Sequence, residues 1–183
     1  MILSCHGQRT IWETVILITS KSWKVFKLDY TEIVPERLWI GAAPSKDDIV
    51  ELKRKLGSEL VIMDLTGSNE EKSWCRELGV VYDERTPLVP ESGRAIPISR
   101  LKIVAAVIGD NVDSGKKVVL HCLKGRGRSP TCAAAYLMQS GMSVADAKST
   151  ITSKRKVWAG ADENYAGLLN DFGKIMEMTR SIF

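Results

Sequence analysis

The feature that most constrains the fold is the ten-residue stretch 121–130, which reads HCLKGRGRSP. Apolar β-forming residues precede it at positions 118–120, and an alanine-rich helical stretch follows it as far as Met138. This order predicts a strand that ends at His121, a turn through two glycines and a helix that begins near Ser129. Such a junction directs backbone N–H groups and the positive end of a helix at one point, so the sequence predicts an anion site there.

Two side chains in this loop indicate that the anion is a phosphate and that the site is catalytic. Arg128 carries a planar, permanently charged guanidinium that can hold two phosphate oxygens at once. Cys122 supplies a nucleophile, which is needed because a phosphate monoester is a dianion that resists attack. The remaining oxygens can be held by backbone N–H groups of the loop. The predicted phosphate-binding residues are Leu123, Lys124, Gly125, Arg126, Gly127 and Arg128.

The same surroundings are expected to activate Cys122. A thiol at a helix N-terminus beside cations has a pKa of about 3.5–7.5, so Cys122 is predicted to be a thiolate at neutral pH. Ser129 can donate a hydrogen bond to the sulfur and ease its departure in a second step. His121 is expected to point away and to brace the loop through backbone hydrogen bonds, without acting as an acid or a base.

Composition bounds the remaining possibilities. The chain has 183 residues, of which 44% are hydrophobic and 26% charged, and this is ordinary for one globular domain. A net charge of +4 suits anionic substrates but is too small to predict a nucleic-acid complex. The basic run Lys154-Arg155-Lys156 is predicted to be a solvated helix end rather than a binding patch.

The four cysteines, Cys5, Cys75, Cys122 and Cys132, show no C-x-x-C spacing. With two histidines in the chain, this predicts neither a disulfide framework nor a zinc site, and no metal or other cofactor is expected. Free thiols are typical of a reducing compartment, so a cytoplasmic location is expected. The apolar run at 15–18 is far shorter than the roughly 18–20 residues of a membrane span, so no span is predicted.

The order of elements predicts an α/β fold. From residue 33 onward, short apolar strands alternate with amphipathic helices, such as a strand at 37–41 followed by a helix that Ser45 caps. This pattern predicts a central, mostly parallel sheet of four to five strands with helices on both faces. Residues 33–183 are therefore assigned to a catalytic domain. Residues 1–32 are assigned to an N-terminal appendage, predicted to be a strand or hairpin that covers the domain.

The stretch His121–Ser129 resembles the C-x5-R signature loop of the cysteine-dependent protein phosphatases. The element order and the segment Arg37–Pro44 resemble the dual-specificity branch of that superfamily, over residues 33–178. The resemblance implies the fold of that branch and a hydrolase that acts on phosphotyrosine and phosphoserine/threonine proteins. It also implies a two-step, metal-free reaction through a cysteinyl-phosphate intermediate. No Lys-Ser/Thr pair ends the loop, which excludes a Walker A loop, and rhodanese-like loops usually lack the C-x5-R-[ST] ending.

The family uses an aspartate as general acid, on a mobile and often proline-rich loop upstream of the cysteine. In this chain Glu91 occupies such a loop, 31 positions before Cys122. The sequence therefore departs from the family at this position, because the glutamate side chain is one methylene group longer than that of aspartate. A glutamate can transfer the same proton from a different loop pose. Asp83 is the alternative, because it follows a predicted strand near the edge of the site.

The substrate stays open at this point. No long segment rich in Lys and Tyr, of the kind that deepens a phosphotyrosine pocket, precedes Cys122. The first prediction is therefore a shallow pocket that is open to phosphoserine, phosphothreonine and phosphotyrosine. Lys124 and Arg126 add cations that suit substrates with several phosphates. Phosphoinositides, inositol phosphates and RNA 5′ phosphates are therefore the alternative substrates. A phosphate-binding module without turnover is a further alternative.

Overall fold

The structure is a computed structural model, and it describes residues 29–86, 88–90, 96–158 and 163–180. Within these ranges strands and helices alternate along most of the chain. The strands are β1 (Tyr30–Val34), β2 (Leu38–Ala42), β3 (Leu60–Asp64), β4 (Val81–Tyr82) and β5 (Lys117–Cys122). The helices are α1 (Lys46–Leu56), α2 (Asn69–Leu78), α3 (Ile98–Asp113), α4 (Arg128–Gln139), α5 (Val144–Lys154) and α6 (Glu163–Arg180). These bounds lie close to the predicted ones.

The five strands form one sheet in the order β1-β2-β5-β3-β4. β1 is antiparallel to β2 and the other neighbours are parallel, which confirms the predicted mostly parallel sheet. In this register Ala42 of β2 lies beside Cys122 of β5, and Asp64 of β3 lies beside His121. The carboxyl ends of three strands thus meet at one edge, where ligands bind in open α/β sheets.

Helices cover both faces of the sheet, as predicted. One core contains Ile49 of α1 and Cys75 of α2, and the other contains Phe172 of α6 together with residues of α3, α4 and α5. Val119 and Leu120 are neighbours on β5 but belong to different cores. β5 is therefore a strand buried on both faces, and its apolar sequence reflects this position.

Serine caps fix the starts of three helices, α1, α2 and α5. The Ser45 hydroxyl accepts a hydrogen bond from the backbone N–H of Asp48, and the Asp48 carboxylate accepts one from the N–H of Ser45. This capping box confirms the predicted start of α1. At α5 the Ser143 hydroxyl accepts from the backbone N–H of Asp146.

The first strand of the sheet lies earlier than the sequence predicts. β1 begins at Tyr30, so it crosses the predicted boundary between residues 32 and 33. Its pairing with β2 makes residues 30–32 part of the sheet. The hairpin predicted for the N-terminal appendage falls on residues 1–28, which lie outside the described residues. Among the helices of the described ranges, none is long and apolar enough to cross a membrane.

Candidate active site

The candidate site is built on the loop between β5 and α4, which lies at the strand–helix junction that the sequence predicts. Cys122 is the last residue of β5 and Arg128 the first of α4, and their exposed fractions are 3% and 9%. Gly125 has a φ of +61°, and a Cβ on it would lie 2.6 Å from the backbone nitrogen of Ala42. The loop therefore packs against the end of β2 so closely that only glycine fits at this position.

Ser129 links Cys122 to the neighbouring strand β2. The Cys122 Sγ and Ser129 Oγ atoms are 3.4 Å apart, and the Ser129 hydroxyl donates to the carbonyl of Gly41 at 3.2 Å. A hydroxyl has one proton, so Ser129 serves one acceptor at a time. When Cys122 is a thiol it can donate to Ser129, and when it is a thiolate Ser129 can turn and donate to the sulfur. Ser129 can thus change from acceptor to donor when Cys122 loses its proton.

The pKa of the Cys122 thiol lies below its ordinary value. Burial has the largest single effect and acts to raise this pKa, but several groups together outweigh it. They are the Ser129 hydroxyl, the backbone N–H groups of Ser129 and Gly125, and the Arg128 guanidinium. The two other cysteines of the described ranges behave oppositely, because burial raises the pKa of Cys75 to about 12 and that of Cys132 further. Among the cysteines of the described ranges, Cys122 is therefore the one whose surroundings favour the thiolate.

Arg128 connects the loop to the segment that precedes Glu91. Its Nη1 atom donates to the Val89 carbonyl at 3.1 Å. The backbone N–H of Val89 donates in turn to the carbonyl of Leu65, just beyond β3. Val89 is thus held at the rim of the site, two positions before Glu91 in the sequence. Glu91 itself lies outside the described residues.

Asp83, the alternative general acid, is committed to other partners. Its carboxylate accepts hydrogen bonds from the backbone and guanidinium of Arg85 and from the Asn111 side chain at 2.6 Å. Burial acts to raise the pKa of Asp83, but these donors lower it below its ordinary value. A carboxylate held in its charged form by four hydrogen bonds is poorly suited to give a proton to a leaving group.

Arg155 was missed by the sequence prediction, which placed it at a solvated helix end. That prediction is wrong for this residue, because Arg155 is only 4% exposed. Its Nε atom donates to the carbonyl of Gly125 at 3.0 Å, and its two Nη atoms hold the Asp29 carboxylate at 2.7 and 2.9 Å. The guanidinium therefore ties the centre of the loop to the residue before β1. Neighbouring Lys156 is exposed, as predicted.

Replacing Arg155 by methionine is expected to loosen the loop. The variant loses the donor to Gly125 and the ion pair with Asp29, so the free energy of unfolding should fall by about 2 kcal/mol. Affinity for inorganic tungstate, a phosphate mimic, should fall several-fold, because the loop N–H groups are no longer held in place. Urea denaturation and tungstate inhibition measure the two effects. Lys156→Met is the matched control and should change neither.

His121 is braced through its side chain as well as its backbone, whereas the sequence predicts backbone hydrogen bonds alone. The Nε2 atom lies 2.7 Å from Oε1 of Glu71 on α2, and the carbonyl of His121 accepts from the backbone N–H of Leu65. Possible ligand atoms of His121, Glu71 and Asp64 all lie within 4.8 Å of one another. The Asp64 oxygens, however, already accept hydrogen bonds from Thr66 and other donors. This donor set indicates an internal hydrogen-bond network.

Lys124 and Arg126 are exposed on the loop, as is the apolar side chain of Leu123. Within the described part of the chain, neither cation has an ion pair or hydrogen bond, so both are free to meet additional negative charge on a ligand. Gly127 is closely packed as well, because a Cβ on it would come within 2.5 Å of the Tyr165 hydroxyl oxygen. The loop is thus closely packed at its glycines and open at its cations.

The sequence is similar to those of known phosphatases. Residues 38–175 match the family model described as "Dual specificity phosphatase, catalytic domain". The chain is 33% identical over 86 residues to the putative tyrosine phosphatase 123R of Invertebrate iridescent virus 6, a match that covers 46% of this chain and 60% of the relative. It is 35% identical over 79 residues to dual specificity protein phosphatase 1 of Arabidopsis thaliana, covering 40% and 39%. The matches span less than two thirds of each relative.

Solved structures share the fold at lower sequence identity. A crystal structure of PTPMT1 has a TM-score of 0.68 at 24% identity and covers 84% of this chain and 99% of its own. Tk-PTP in the active form has a TM-score of 0.67 at 23% identity and covers 80% and 97%. Human DUSP28 has a TM-score of 0.65 at 20% identity and covers 81% and 95%. These likenesses agree with the observed sheet and its flanking helices.

Proposed function

Because the chain belongs to the dual-specificity phosphatase family, we propose that it hydrolyses phosphotyrosine and phosphoserine/threonine proteins through a cysteinyl-phosphate intermediate. The main support is the environment of Cys122, a buried thiol with a lowered pKa at the start of a loop that Arg128 and Ser129 close. A phosphate bound in this loop would meet the thiolate, the loop N–H groups and the guanidinium together. The free thiols of the described residues also fit a cytoplasmic location.

In the first step the Cys122 thiolate attacks the phosphorus atom. An S–P bond forms, the P–O bond to the substrate oxygen breaks, and that oxygen takes a proton from Glu91. Arg128 and the loop N–H groups hold the oxygens on which negative charge is spread in the transition state. The products of this step are the free alcohol or phenol and the cysteinyl phosphate.

In the second step water attacks the cysteinyl phosphate. The Glu91 carboxylate takes a proton from that water, a new P–O bond forms, and the S–P bond breaks. The sulfur leaves as a thiolate, and the Ser129 hydroxyl can turn from the Gly41 carbonyl to donate to it. Inorganic phosphate is released and the starting charges are restored. The steps use only groups of the protein and one water molecule, so activity that disappears with a chelator would contradict the mechanism.

Glu91→Gln tests the general acid. We expect kcat/KM to fall by about 10²–10³-fold, because an amide cannot deliver the proton that the leaving oxygen needs. The acid must be protonated, so in the native enzyme the rate falls as pH rises through the pKa of Glu91. That basic limb should disappear in the variant. The loss should be larger for phosphoserine peptides than for p-nitrophenyl phosphate, whose leaving group needs less help.

Asp83→Asn is the matched comparison, because it removes the alternative carboxylate. Asp83 is held by Arg85 and Asn111, so its variant should keep the basic limb of the pH profile. If the limb persists in Glu91→Gln and disappears in Asp83→Asn, the general acid is Asp83.

A second substrate class is favoured by one observation. Lys124 and Arg126 are exposed on the loop and free of partners among the described residues, which suits a ligand with more than one phosphate. PTPMT1 has been solved in complex with PI(5)P. The test is kcat/KM across phosphopeptides, inositol phosphates, phosphoinositides and 5′-phosphorylated RNA. Preference for a non-peptide substrate would replace the protein assignment, and no turnover even of an aryl phosphate would indicate a binding module.

A further inference from the structure

Three consecutive residues that precede the family domain support the loop between β5 and α4. The match to the family model begins at residue 38. The Asp29 carboxylate accepts hydrogen bonds from both Nη atoms of Arg155, at 2.7 and 2.9 Å, and the Thr31 hydroxyl accepts a third at 3.2 Å. Tyr30, between them, donates from its hydroxyl to the carbonyl of Ala42 at 3.0 Å. The three-residue segment therefore contacts both Arg155 and the end of β2.

The end of β2 is packed between this segment and the loop. Gly41 has no space for a side chain, because a Cβ there would overlap the ring of Tyr30. The Gly41 carbonyl accepts a hydrogen bond from Ser129. The backbone nitrogen of Ala42 lies against Gly125, where a Cβ would come within 2.6 Å of it. Through β2, the segment therefore supports the part of the loop that contains Gly125.

Arg155 fixes the orientation of one peptide group in the loop. Its Nε atom donates to the Gly125 carbonyl at 3.0 Å. All peptide bonds of the described residues are trans, and in a trans peptide the C=O and N–H groups point in opposite directions. The N–H group of this peptide belongs to Arg126, one of the predicted phosphate-binding residues, and it therefore points away from Arg155. Because loop N–H groups can hold phosphate oxygens, this hydrogen bond prepares the loop for an anion.

The ion pair with Asp29 keeps the guanidinium of Arg155 in place. The Arg155 side chain is 4% exposed, whereas that of Asp29 is 60% exposed. Among the described residues, Asp29 is the carboxylate that pairs with Arg155. A buried cation without a counter-charge is costly. Loss of the carboxylate is therefore expected to move the guanidinium toward solvent and away from the Gly125 carbonyl.

We propose that Asp29 is a positioning residue for phosphate binding, which acts through Arg155 to hold the peptide group between Gly125 and Arg126 with its N–H group turned toward the anion. The part of the chain that serves the site thus begins upstream of the residues that match the family model. The inference rests on the proposed function in one respect, since it takes this loop as the place where phosphate binds.

Tungstate affinity distinguishes this role from a simple effect of charge. Isothermal titration calorimetry of the full chain with inorganic tungstate measures the affinity directly. By charge alone, removing a carboxylate near an anion site should strengthen anion binding. We expect the opposite for Asp29→Asn, whose tungstate affinity should fall by about three- to fivefold, because the Arg126 N–H group is no longer held toward the anion. Unchanged or tighter binding by the folded variant would overturn the proposal.

Two further variants show whether the ion pair is the cause. Glu32→Gln removes the same charge from β1, but Glu32 is exposed and its carboxylate accepts from the backbone of Glu36, so tungstate affinity should not fall. Asp29→Glu keeps a carboxylate for Arg155 and should bind tungstate more tightly than Asp29→Asn. If Glu32→Gln weakens binding as much as Asp29→Asn, or if Asp29→Glu binds no more tightly than Asp29→Asn, the proposal is wrong.

A double-mutant cycle tests whether Asp29 acts through Arg155. In the Arg155→Met background the further change Asp29→Asn should leave tungstate affinity unchanged, whereas an additional loss would contradict the proposal. Should Asp29→Asn not fold, Thr31→Val removes the other side-chain acceptor of Arg155 and places a residue that suits a strand. A loss of about twofold in this variant would support the proposal, and unchanged affinity would overturn it.

Tungstate binding does not depend on turnover, so the inference and the proposed function can fail separately. If the native protein does not hydrolyse p-nitrophenyl phosphate but Asp29→Asn weakens tungstate binding, the proposed function is wrong and this inference stands. If the native protein hydrolyses it and Asp29→Asn binds tungstate normally, the proposed function stands and this inference is wrong.

Discussion

Replacing Cys122 by serine is expected to reduce kcat for an aryl phosphate by at least about 10⁴-fold. A serine hydroxyl is not ionised at neutral pH, and the donors that lower the pKa of the Cys122 thiol cannot make up the difference. Ser129, the loop N–H groups and Arg128 would surround a neutral hydroxyl instead of a thiolate. Steady-state turnover of p-nitrophenyl phosphate measures the loss, and mass spectrometry of the trapped native enzyme should show phosphate on Cys122.

The same variant provides its own control for folding. Cys122→Ser keeps Arg128 and every backbone N–H group of the loop, so its affinity for inorganic tungstate should stay within about threefold of the native value. Lost turnover with retained anion binding is the expected combination. A turnover rate near that of the native enzyme would contradict the role of Cys122, whereas loss of tungstate binding would show that the loop itself had collapsed.

Local patterns were sufficient to predict the strand, the turn and the helix at the centre of the candidate site. The apolar run of β5, the two glycines and the helix that follows lie within about 20 consecutive residues, and each has a direct backbone consequence. A strand ends where the apolar run ends, and a turn that packs against β2 needs glycine at position 125. The register of β5 with β2 and β3 then follows from parallel pairing, which places the loop at the carboxyl edge of the sheet.

The side chains that brace the loop could not be predicted, because their partners are distant in sequence. Arg155 holds Asp29, 126 positions away, and a basic triplet gives no periodicity from which burial could be inferred. Glu71 and His121 are 50 positions apart. Glu70 and Glu71 both sit in the first turn of α2, where acidic residues complement the helix dipole, and only the packing of α2 makes one exposed and the other buried.

The strand β1 was missed for a related reason. Its sequence, Tyr30–Val34, contains Thr31 and Glu32 among its apolar residues and lies at the edge of the sheet, so it lacks a continuous apolar run. Its position depends on antiparallel pairing with β2 and on the ion pair of Asp29 with Arg155. Edge strands of this kind are specified by their neighbours more than by their own composition.

Arg128→Lys is the second change with a large expected effect, because the charge is kept and the geometry is lost. We expect kcat/KM to fall by about 10²–10³-fold, the usual range for removing a donor that stabilises transition-state charge. A lysine ammonium is a point charge and cannot hold two phosphate oxygens in a fork. It would also have to choose between the phosphate and the Val89 carbonyl, which Arg128 contacts through Nη1 alone.

The comparison with Arg126→Lys makes the experiment specific. Arg126 lies on the same loop but is exposed, so its replacement should cost far less than that of Arg128 in turnover of an aryl phosphate. Tungstate inhibition should weaken strongly in Arg128→Lys and slightly in Arg126→Lys. If the two variants lose activity equally, charge alone matters and the bidentate role of Arg128 is wrong. A larger loss in Arg128→Lys, with unfolding curves that coincide, ties the effect to the fork that closes the loop over the bound phosphate.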